Sequence, residues 1–130
     1  MTREILQPPG WTRPRGYANG VAATGRLVFV AGQIGWDAEQ RFASDGFAAQ
    51  VRQALANVVA VLACAGAKPE HLVRMTWYVT SRDEYNAARA EVGAAWRELI
   101  GRNFPAMSVV VVAGLLEPRA KVEIEATAVI

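Results

Sequence analysis

The hydrophobic residues of this chain follow a helical spacing in two segments and a strand spacing in several others. In the first helical segment they recur every three to four positions: Phe47, Val51, Leu55, Val58 and Leu62. This spacing places them on one face of an amphipathic helix. Ser44 or Asp45 can cap this helix, and Gly66 can end it. The pattern therefore predicts a first helix between these caps.

A second helix is predicted to start at the sequence "SRDE". Ser81 can accept a hydrogen bond from the amide of Glu84, and the Glu84 side chain can reach back, which is a capping box. The apolar residues that follow again recur at helical spacing: Tyr85, Ala88, Val92, Trp96 and Leu99. Gly101 ends the segment, so one continuous helix is predicted from about Arg82 to Ile100.

The other apolar segments have the composition or the alternation of β-strands. They are "YANGVAAT" (17–24), "LVFVAGQI" (27–34), "LVRMTWYVT" (72–80), "AMSVVVVAGL" (106–115) and "KVEIEATAVI" (121–130). In the last of these, apolar residues alternate with charged residues and threonine. The first 16 residues contain three prolines and two glycines, so an irregular N-terminal arm is predicted there.

The predicted order is β-β-α-β-α-β-β in a single domain over residues 1–130, which is an α+β fold. Right-handed crossovers put both helices on one face of a mixed sheet, and the chain leaves the other face uncovered. The chain is 52% hydrophobic and 20% charged, which is apolar for 130 residues. We therefore expect a partner subunit to cover the second face, with Val, Met and Ala side chains on it.

The composition argues against several classes of function. The net charge is +2 and the one local basic cluster is "RPR" at residues 13–15, so a nucleic-acid surface is not favoured. One cysteine and one histidine provide neither a disulfide framework nor a metal-ligand cluster. No signal peptide is visible, and the longest nearly apolar stretch, 54–67, is too short to cross a bilayer. We expect a cytoplasmic protein without a membrane partner.

Two charged residues stand out from this background. Arg89 falls on the apolar stripe of the second helix, where its guanidinium either extends to water or meets a carboxylate of the protein or of a ligand. Glu123 and Glu125 lie on the face of the last strand opposite its apolar residues. They are either simply hydrated, or one of them is a functional carboxylate that needs a cleft to raise its pKa.

Five segments of the sequence together resemble the RidA (YjgF) superfamily. They are "GRLVFVAGQIGWD", "AAQVRQALANVVAVLACAGA", "PEHLVRMTWYVTSRDEYNAAR", "FPAMS" and "VEIEATAV", within a similarity that covers residues 17–130. The resemblance implies a chorismate-mutase-like fold and a homotrimer around a central β-barrel, with ligand clefts between subunits. It also implies hydrolysis of enamines and imines, such as 2-aminoacrylate, to 2-keto acids and ammonia without metal or organic cofactor.

Four residues match the functional motifs of the superfamily. Tyr17 in "RGY" stands at the position of a cleft tyrosine, and Gly32 and Gln33 in "AGQ" match the superfamily's "SGQ". Glu123 in "VEIEA" matches the glutamate that helps to place the attacking water. The resemblance thus implies catalytic roles for Glu123 and Tyr17 and substrate-binding roles for Gly32 and Gln33.

Four other positions depart from the pattern of the well-known deaminases. Ala31 replaces a cleft serine, Val109 replaces a cysteine often found there, and Arg89 stands where those deaminases carry an asparagine. Met107 in "PAM" replaces the arginine that grips the substrate carboxylate. All four are predicted to line the substrate cleft, and Arg89 is the candidate to bind a carboxylate in place of the missing arginine.

Met107 decides which activity is expected. A bidentate arginine–carboxylate contact supplies charge-assisted hydrogen bonds of about 1.5–3 kcal/mol each. Methionine offers neither charge nor donor, so we expect weak or no activity on imines derived from 2-aminoacrylate. Two functions remain open: a divergent deaminase-type hydrolase, and a non-catalytic trimer that binds or responds to a small metabolite. An RNA-acting protein is less favoured, because neither an acid–base pair nor a basic stripe is visible.

Overall fold

The computed structural model describes residues 2–130; Met1, the first residue of the predicted arm, lies outside this range. In chain order the elements are β1 (Thr2–Leu6), β2 (Gly20–Thr24), β3 (Leu27–Ile34), α1 (Phe47–Cys64), a 3-10 turn (Pro69–His71), β4 (Leu72–Val79), α2 (Arg82–Ala87), α3 (Arg89–Leu99), β5 (Ala106–Val111) and β6 (Val122–Val129).

The main sheet has four strands in the order β3-β6-β4-β5. β4 and β5 run parallel, and the other neighbours run antiparallel. α2 and α3 join the parallel pair, because parallel neighbours need a crossover connection. β1 and β2 form an antiparallel pair of their own, and a bridge between Ala18 and Ala106 ties the chain before β2 to β5. The single domain with a mixed sheet and an α+β fold confirms the prediction.

α1 and α3 lie on one face of the main sheet. α1 packs against β3, β6 and α3, and Trp96 of α3 lies against Trp77 of β4 with ring centroids 6.1 Å apart. The predicted stripe of α1 is the centre of the core: Phe47, Val51, Leu55, Val58 and Leu62 are all buried. Within the described residues, α1 is also the one helix long and apolar enough to cross a membrane. Its apolar face is instead used to build this core.

The opposite face of the main sheet is open within residues 2–130. Glu123 and Glu125 point there, because the residues that alternate with them on β6 point into the core. Tyr78 of β4 lies beside Glu123 in the register and donates its hydroxyl hydrogen to Glu125 Oε1 at 2.8 Å. Phe29 of β3 is 73% exposed on the same face. This face therefore carries carboxylates, hydroxyls and an exposed aromatic ring.

The prediction that the uncovered face carries mainly Val, Met and Ala is largely wrong. Met107 and Val109 of β5 lie in register with Met75 and Trp77 of β4, which are buried in the core. Side chains at registered positions point the same way, so Met107 and Val109 face the helices. Strand alternation thus separates them from Glu123.

The prediction of an irregular arm over residues 1–16 is wrong for Thr2–Leu6. These residues form β1, whose pairing with β2 runs from Thr2↔Thr24 to Leu6↔Gly20. Pro8 comes after the end of this strand. Its missing amide hydrogen therefore removes no bond from the pairing.

The prediction of a single second helix is also wrong. Ala88 has φ −102° and ψ 10°, outside the helical region, and divides the segment into α2 and α3. Ser81 caps α2 as predicted, because its Oγ accepts a hydrogen bond from Glu84 N at 3.1 Å. The Glu84 carboxylate bonds Lys121 Nζ at 3.0 Å.

The start of α1 is fixed by Gln50 and not by the predicted caps Ser44 and Asp45. Gly46 is the N-cap residue and receives no help from a capping side chain. Ser44 Oγ instead accepts a hydrogen bond from Gly46 N at 2.9 Å. Gln50, one turn into the helix, is 1% exposed, and its Nε2 donates to Ser44 O at 3.2 Å.

We expect Gln50→Leu to lower the free energy of unfolding by about 3 kcal/mol, because it leaves buried backbone groups without partners. Besides Ser44 O, Gln50 Nε2 bonds Arg119 O at 3.0 Å, and its Oε1 accepts from Lys121 N at 2.8 Å. Urea unfolding followed by circular dichroism measures the change. Gln53→Leu is the matched control, because within residues 2–130 the Gln53 side chain bonds only Asn57 Oδ1. Equal losses in both variants would contradict this role of Gln50.

Candidate functional site

A cavity of about 680 Å³ lies between α3, the start of β5 and the chain before β2. Four of the predicted site residues line it: Tyr17, Arg89, Met107 and Val109. Met107 and Val109 form an apolar part of the wall, because neither side chain carries a charge or a hydrogen-bond donor. The structure therefore brings together half of the predicted site.

Tyr17 reaches this cavity because the residue after it is anchored to β5. Ala18 is buried, and its amide donates to Pro105 O at 2.9 Å. The Tyr17 side chain is 40% exposed beside this anchor. Its ring is thus held at the mouth of the cavity with room for a second molecule to contact it.

Arg89 is the first residue of α3 and its guanidinium is held in place by neighbours on the same segment. Its Nε and Nη2 donate to Asn86 Oδ1 at 3.1 and 2.9 Å. Its Cζ lies 5.1 Å from the centroid of the Tyr85 ring, a cation–π contact. Among residues 2–130 no carboxylate forms an ion pair with it. Arg89 is therefore an oriented cation, exposed at the cavity, whose charge is available to an anion.

Glu123 lies on the other face of the sheet, over Gly32. A Cβ atom built on Gly32 would lie 2.7 Å from Glu123 Cδ and 2.8 Å from its Cγ. Both distances are far below van der Waals contact, so only glycine lets the carboxylate occupy this place. The glycine of the "AGQ" motif thus makes room for the glutamate of the "VEIEA" motif in this position.

Ala31 and Gln33 flank this glycine at an irregularity of β3. The register with β6 shifts between Val30 and Gln33, so an extra residue is accommodated there. Gln33 Nε2 donates to Ala31 O at 3.1 Å across this shift. Neither residue lines the cavity that contains Arg89. Ala31, Gly32, Gln33 and Glu123 hence form a second group, separate from the first within one chain.

Tyr78 and Glu125 extend this second group. Glu125 was considered with Glu123 as a possible functional carboxylate, whereas Tyr78 was not predicted as functional. The hydrogen bond to Glu125 raises the pKa of the Tyr78 hydroxyl, and burial and the charges of Glu125 and Glu123 act in the same direction. Arg74 opposes them. The Tyr78 proton is therefore held firmly on the hydroxyl beside two carboxylates. The strand alternation of "TWYVT" was the available signal, because it places Tyr78 on the face of Glu123.

The cavity also contains arginines that the motifs did not indicate. Arg15, Arg97 and Arg102 line it together with Arg89, and no acidic residue is among the described residues that line it. The sequence spacing could have indicated Arg97, because it lies eight positions after Arg89 on the same helix. No group of three or more His, Cys, Asp and Glu side chains within residues 2–130 is placed to hold a metal ion.

Comparison with known proteins places this fold and these motifs in one family. The model of the family "Endoribonuclease L-PSP" matches residues 12–130. The 2-iminobutanoate/2-iminopropanoate deaminase of Salmonella typhimurium is 36% identical over 113 residues, which cover 87% of this chain and 86% of that protein. The chain belongs to the Endoribonuclease L-PSP family, which is the RidA (YjgF) superfamily of the sequence resemblance.

Solved structures agree with this assignment. YyfB from Yersinia pestis, described as a Rid-family protein of unknown function, superposes with a TM-score of 0.85 at 34% identity over 100% of both chains. The YjgF gene product of Escherichia coli superposes with a TM-score of 0.71 at 35% identity over 87% of both chains. The fold predicted from the sequence motifs is thereby confirmed.

Proposed function

We propose that this protein is a deaminase-type hydrolase of imines or enamines whose clefts are completed between the subunits of a homotrimer. The observation that carries the proposal is the division of the site. The Tyr17–Arg89–Met107 group lies on the helix side of the sheet, and Glu123 with Gly32 lies on the open side. A second copy that packs on the open side would bring its cavity and this Glu123 together.

Two further observations support the trimer. The open side presents Phe29 and Leu27, 73% and 59% exposed, beside the carboxylates of β6. Exposed apolar side chains of this size indicate a contact surface. The superfamily resemblance implies a closed ring of three subunits with clefts between them, and such a ring uses the same contact surfaces on every subunit. Such an assembly would be soluble, and we expect it in the cytoplasm.

The reaction we propose needs only a placed water and a route for protons. Glu123 takes a proton from the water as the water oxygen adds to the imine carbon. The C=N π electrons move to nitrogen, which takes up a proton. The carbon–nitrogen bond of the resulting carbinolamine then breaks. Nitrogen leaves as ammonia with the electron pair and a proton, and the hydroxyl loses its proton to become the carbonyl. The net change is imine plus water to ketone plus ammonia.

Arg89 would hold the carboxylate of such a substrate in this scheme. Its planar fork is oriented by Asn86 and Tyr85 before any ligand arrives, and preorganisation reduces the entropy lost on binding. It approaches from a helix, whereas position 107 lies on a strand. The substrate would therefore be turned relative to its orientation in deaminases with an arginine at that position, which is a reason to expect weak activity on 2-iminopropanoate.

An imine assay tests the proposal. An amino acid oxidase generates 2-imino acids in situ, and semicarbazide captures the imine that has not been hydrolysed. We expect the wild-type protein to reduce semicarbazone formation from at least one 2-imino acid. Glu123→Gln should lower the rate of imine hydrolysis by about 100-fold or more, as for loss of a general base. Identical curves with wild type, with Glu123→Gln and without protein would favour the non-catalytic, ligand-binding alternative.

A further inference from the structure

The cavity side of α3 is a continuous stripe with an arginine near each end. The residues of α3 that line the cavity are Arg89, Val92, Gly93, Trp96 and Arg97. Their spacing places them on one face of the helix. Arg89 and Arg97 are eight residues apart, which is about 12 Å along the helix axis. A molecule bound along this stripe therefore contacts the Arg89 guanidinium, the space left by the missing side chain of Gly93 and the Trp96 indole ring in succession.

The gap in this stripe is Gly93, and folding of the chain does not require it. A glycine inside a helix costs about 1 kcal/mol relative to alanine. The conformation of Gly93 is not left-handed, and the nearest atom to a Cβ built there is Arg97 Nη1 at 3.6 Å, an ordinary contact distance. An alanine at position 93 would fit the described chain and stabilise its helix. The missing side chain leaves space in the cavity for part of a ligand.

The space beside Gly93 is bordered by aromatic rings and by a guanidinium. Trp96 and Phe104 lie parallel, 8° apart, with ring centroids separated by 6.2 Å. The Arg97 guanidinium lies alongside the position of the missing Cβ. Aromatic faces and a planar cation are the surfaces against which a flat apolar ring packs well. The adjoining wall of Met107 and Val109 is apolar and adapts to shape.

The charge of the cavity selects an anion. Four arginines line it without an acidic residue among the described lining residues. Side chains of one sign around a low-dielectric cleft concentrate their field and attract the opposite charge. The indole N–H groups of Trp77 and Trp96 are buried and have no acceptor among residues 2–130. Both side chains line the cavity, but their N–H groups are enclosed by protein atoms and add no preference for an acceptor.

We propose that the cavity binds an aromatic carboxylic acid, with its carboxylate on Arg89 and its ring beside Gly93 between Trp96 and Arg97. The cavity of the single chain, about 680 Å³, is within the range of sites for drug-sized ligands and has room for a ring as well as a carboxylate. The substrate would then be a 2-imino acid derived from an aromatic amino acid. The assignment of this substrate rests on the proposed function, whereas the assignment of the ligand class does not.

Calorimetric titration with three probes tests the ligand class without any turnover. Phenylpyruvate carries ring and carboxylate, pyruvate only the carboxylate, and phenylacetone the ring with a methyl group in place of the carboxylate. We expect phenylpyruvate to bind at least about tenfold more tightly than either, because burial of a ring and an ion pair each contribute a factor of this size or more. Equal affinities for phenylpyruvate and pyruvate, or no binding of phenylpyruvate, would overturn the proposal.

Two variants locate the ring. Gly93→Leu fills the gap and Arg97→Gln removes the planar cation, and each should weaken phenylpyruvate binding by about tenfold or more while leaving pyruvate binding within about twofold. Arg26→Gln, in the turn between β2 and β3, is the control for loss of an arginine that does not line the cavity. Leucine favours a helix over glycine, so Gly93→Leu should fold with an unchanged or higher Tm. Phenylpyruvate binding that is unchanged in a folded Gly93→Leu protein would contradict the assignment, whatever the imine assay gives.

Discussion

Replacing Met107 by arginine should raise kcat/KM for hydrolysis of 2-iminopropanoate by about 100-fold. Position 107 faces the cavity from the strand β5, in register with Met75 of β4. A guanidinium there gains two charge-assisted hydrogen bonds to the substrate carboxylate. Together they contribute about 3 kcal/mol, and each 1.4 kcal/mol corresponds to a factor of ten in rate. The semicarbazide assay with alanine and an amino acid oxidase measures the change.

Two control variants separate geometry from charge in this experiment. Met107→Lys adds the same charge without the planar fork, so we expect less than a tenth of the gain. Val111→Arg adds an arginine to the same face of the same strand, at a position that is 52% exposed and does not line the cavity. It should leave the rate unchanged. A folded Met107→Arg protein with wild-type kcat/KM would show that position 107 does not face the reacting substrate.

The elements that the sequence predicted well are those whose burial depends on their own spacing. In β6, Val122, Ile124 and Ala126 are buried and Glu123 and Glu125 are not, as the alternation predicts. β1 was missed because its pairing partner lies beyond a loop rich in proline, and only that partner makes residues 2–6 a strand. The break at Ala88 was missed for a similar reason. The apolar spacing continues through it, so nothing in the local sequence marks the interruption of the helix.

The site was predictable as a set of residues but not as an arrangement. Alternation alone predicts that Glu123 points away from Ile124, and it does. Which side of the sheet receives Met107 depends on the register of β5 with β4, and that register is a tertiary contact. Gly93 and Arg97 were not part of the predicted stripe of the second helix, although each directly follows one of its residues, Val92 or Trp96. Their proposed contact with a ligand depends on the cavity beside them, and a spacing pattern does not reveal a cavity.

The division of the site between two faces leads to the sharpest prediction, complementation between two inactive variants. Arg89→Ala removes the anion-binding group of the cavity, and Glu123→Gln removes the carboxylate that places water. Each homotrimer should lose about 100-fold or more of the hydrolysis rate. When the two proteins are unfolded, mixed in equal amounts and refolded together, a cleft shared by neighbours receives one intact half from each variant. By random assembly about one quarter of the clefts are then complete, so about one quarter of the wild-type rate should return.

The control mixture combines Glu123→Gln with the double variant Arg89→Ala/Glu123→Gln. It forms the same mixed trimers, which native mass spectrometry counts, yet none of its clefts contains Glu123. It should therefore stay inactive, because the return of activity requires a carboxylate from a neighbour. If the first mixture also stays inactive although mixed trimers are present, the cleft is not shared. Glu123 and Arg89 would then have to act from opposite faces of one sheet, so a common substrate could not contact both. That result would overturn the proposal that Arg89 and Glu123 of neighbouring subunits share one cleft.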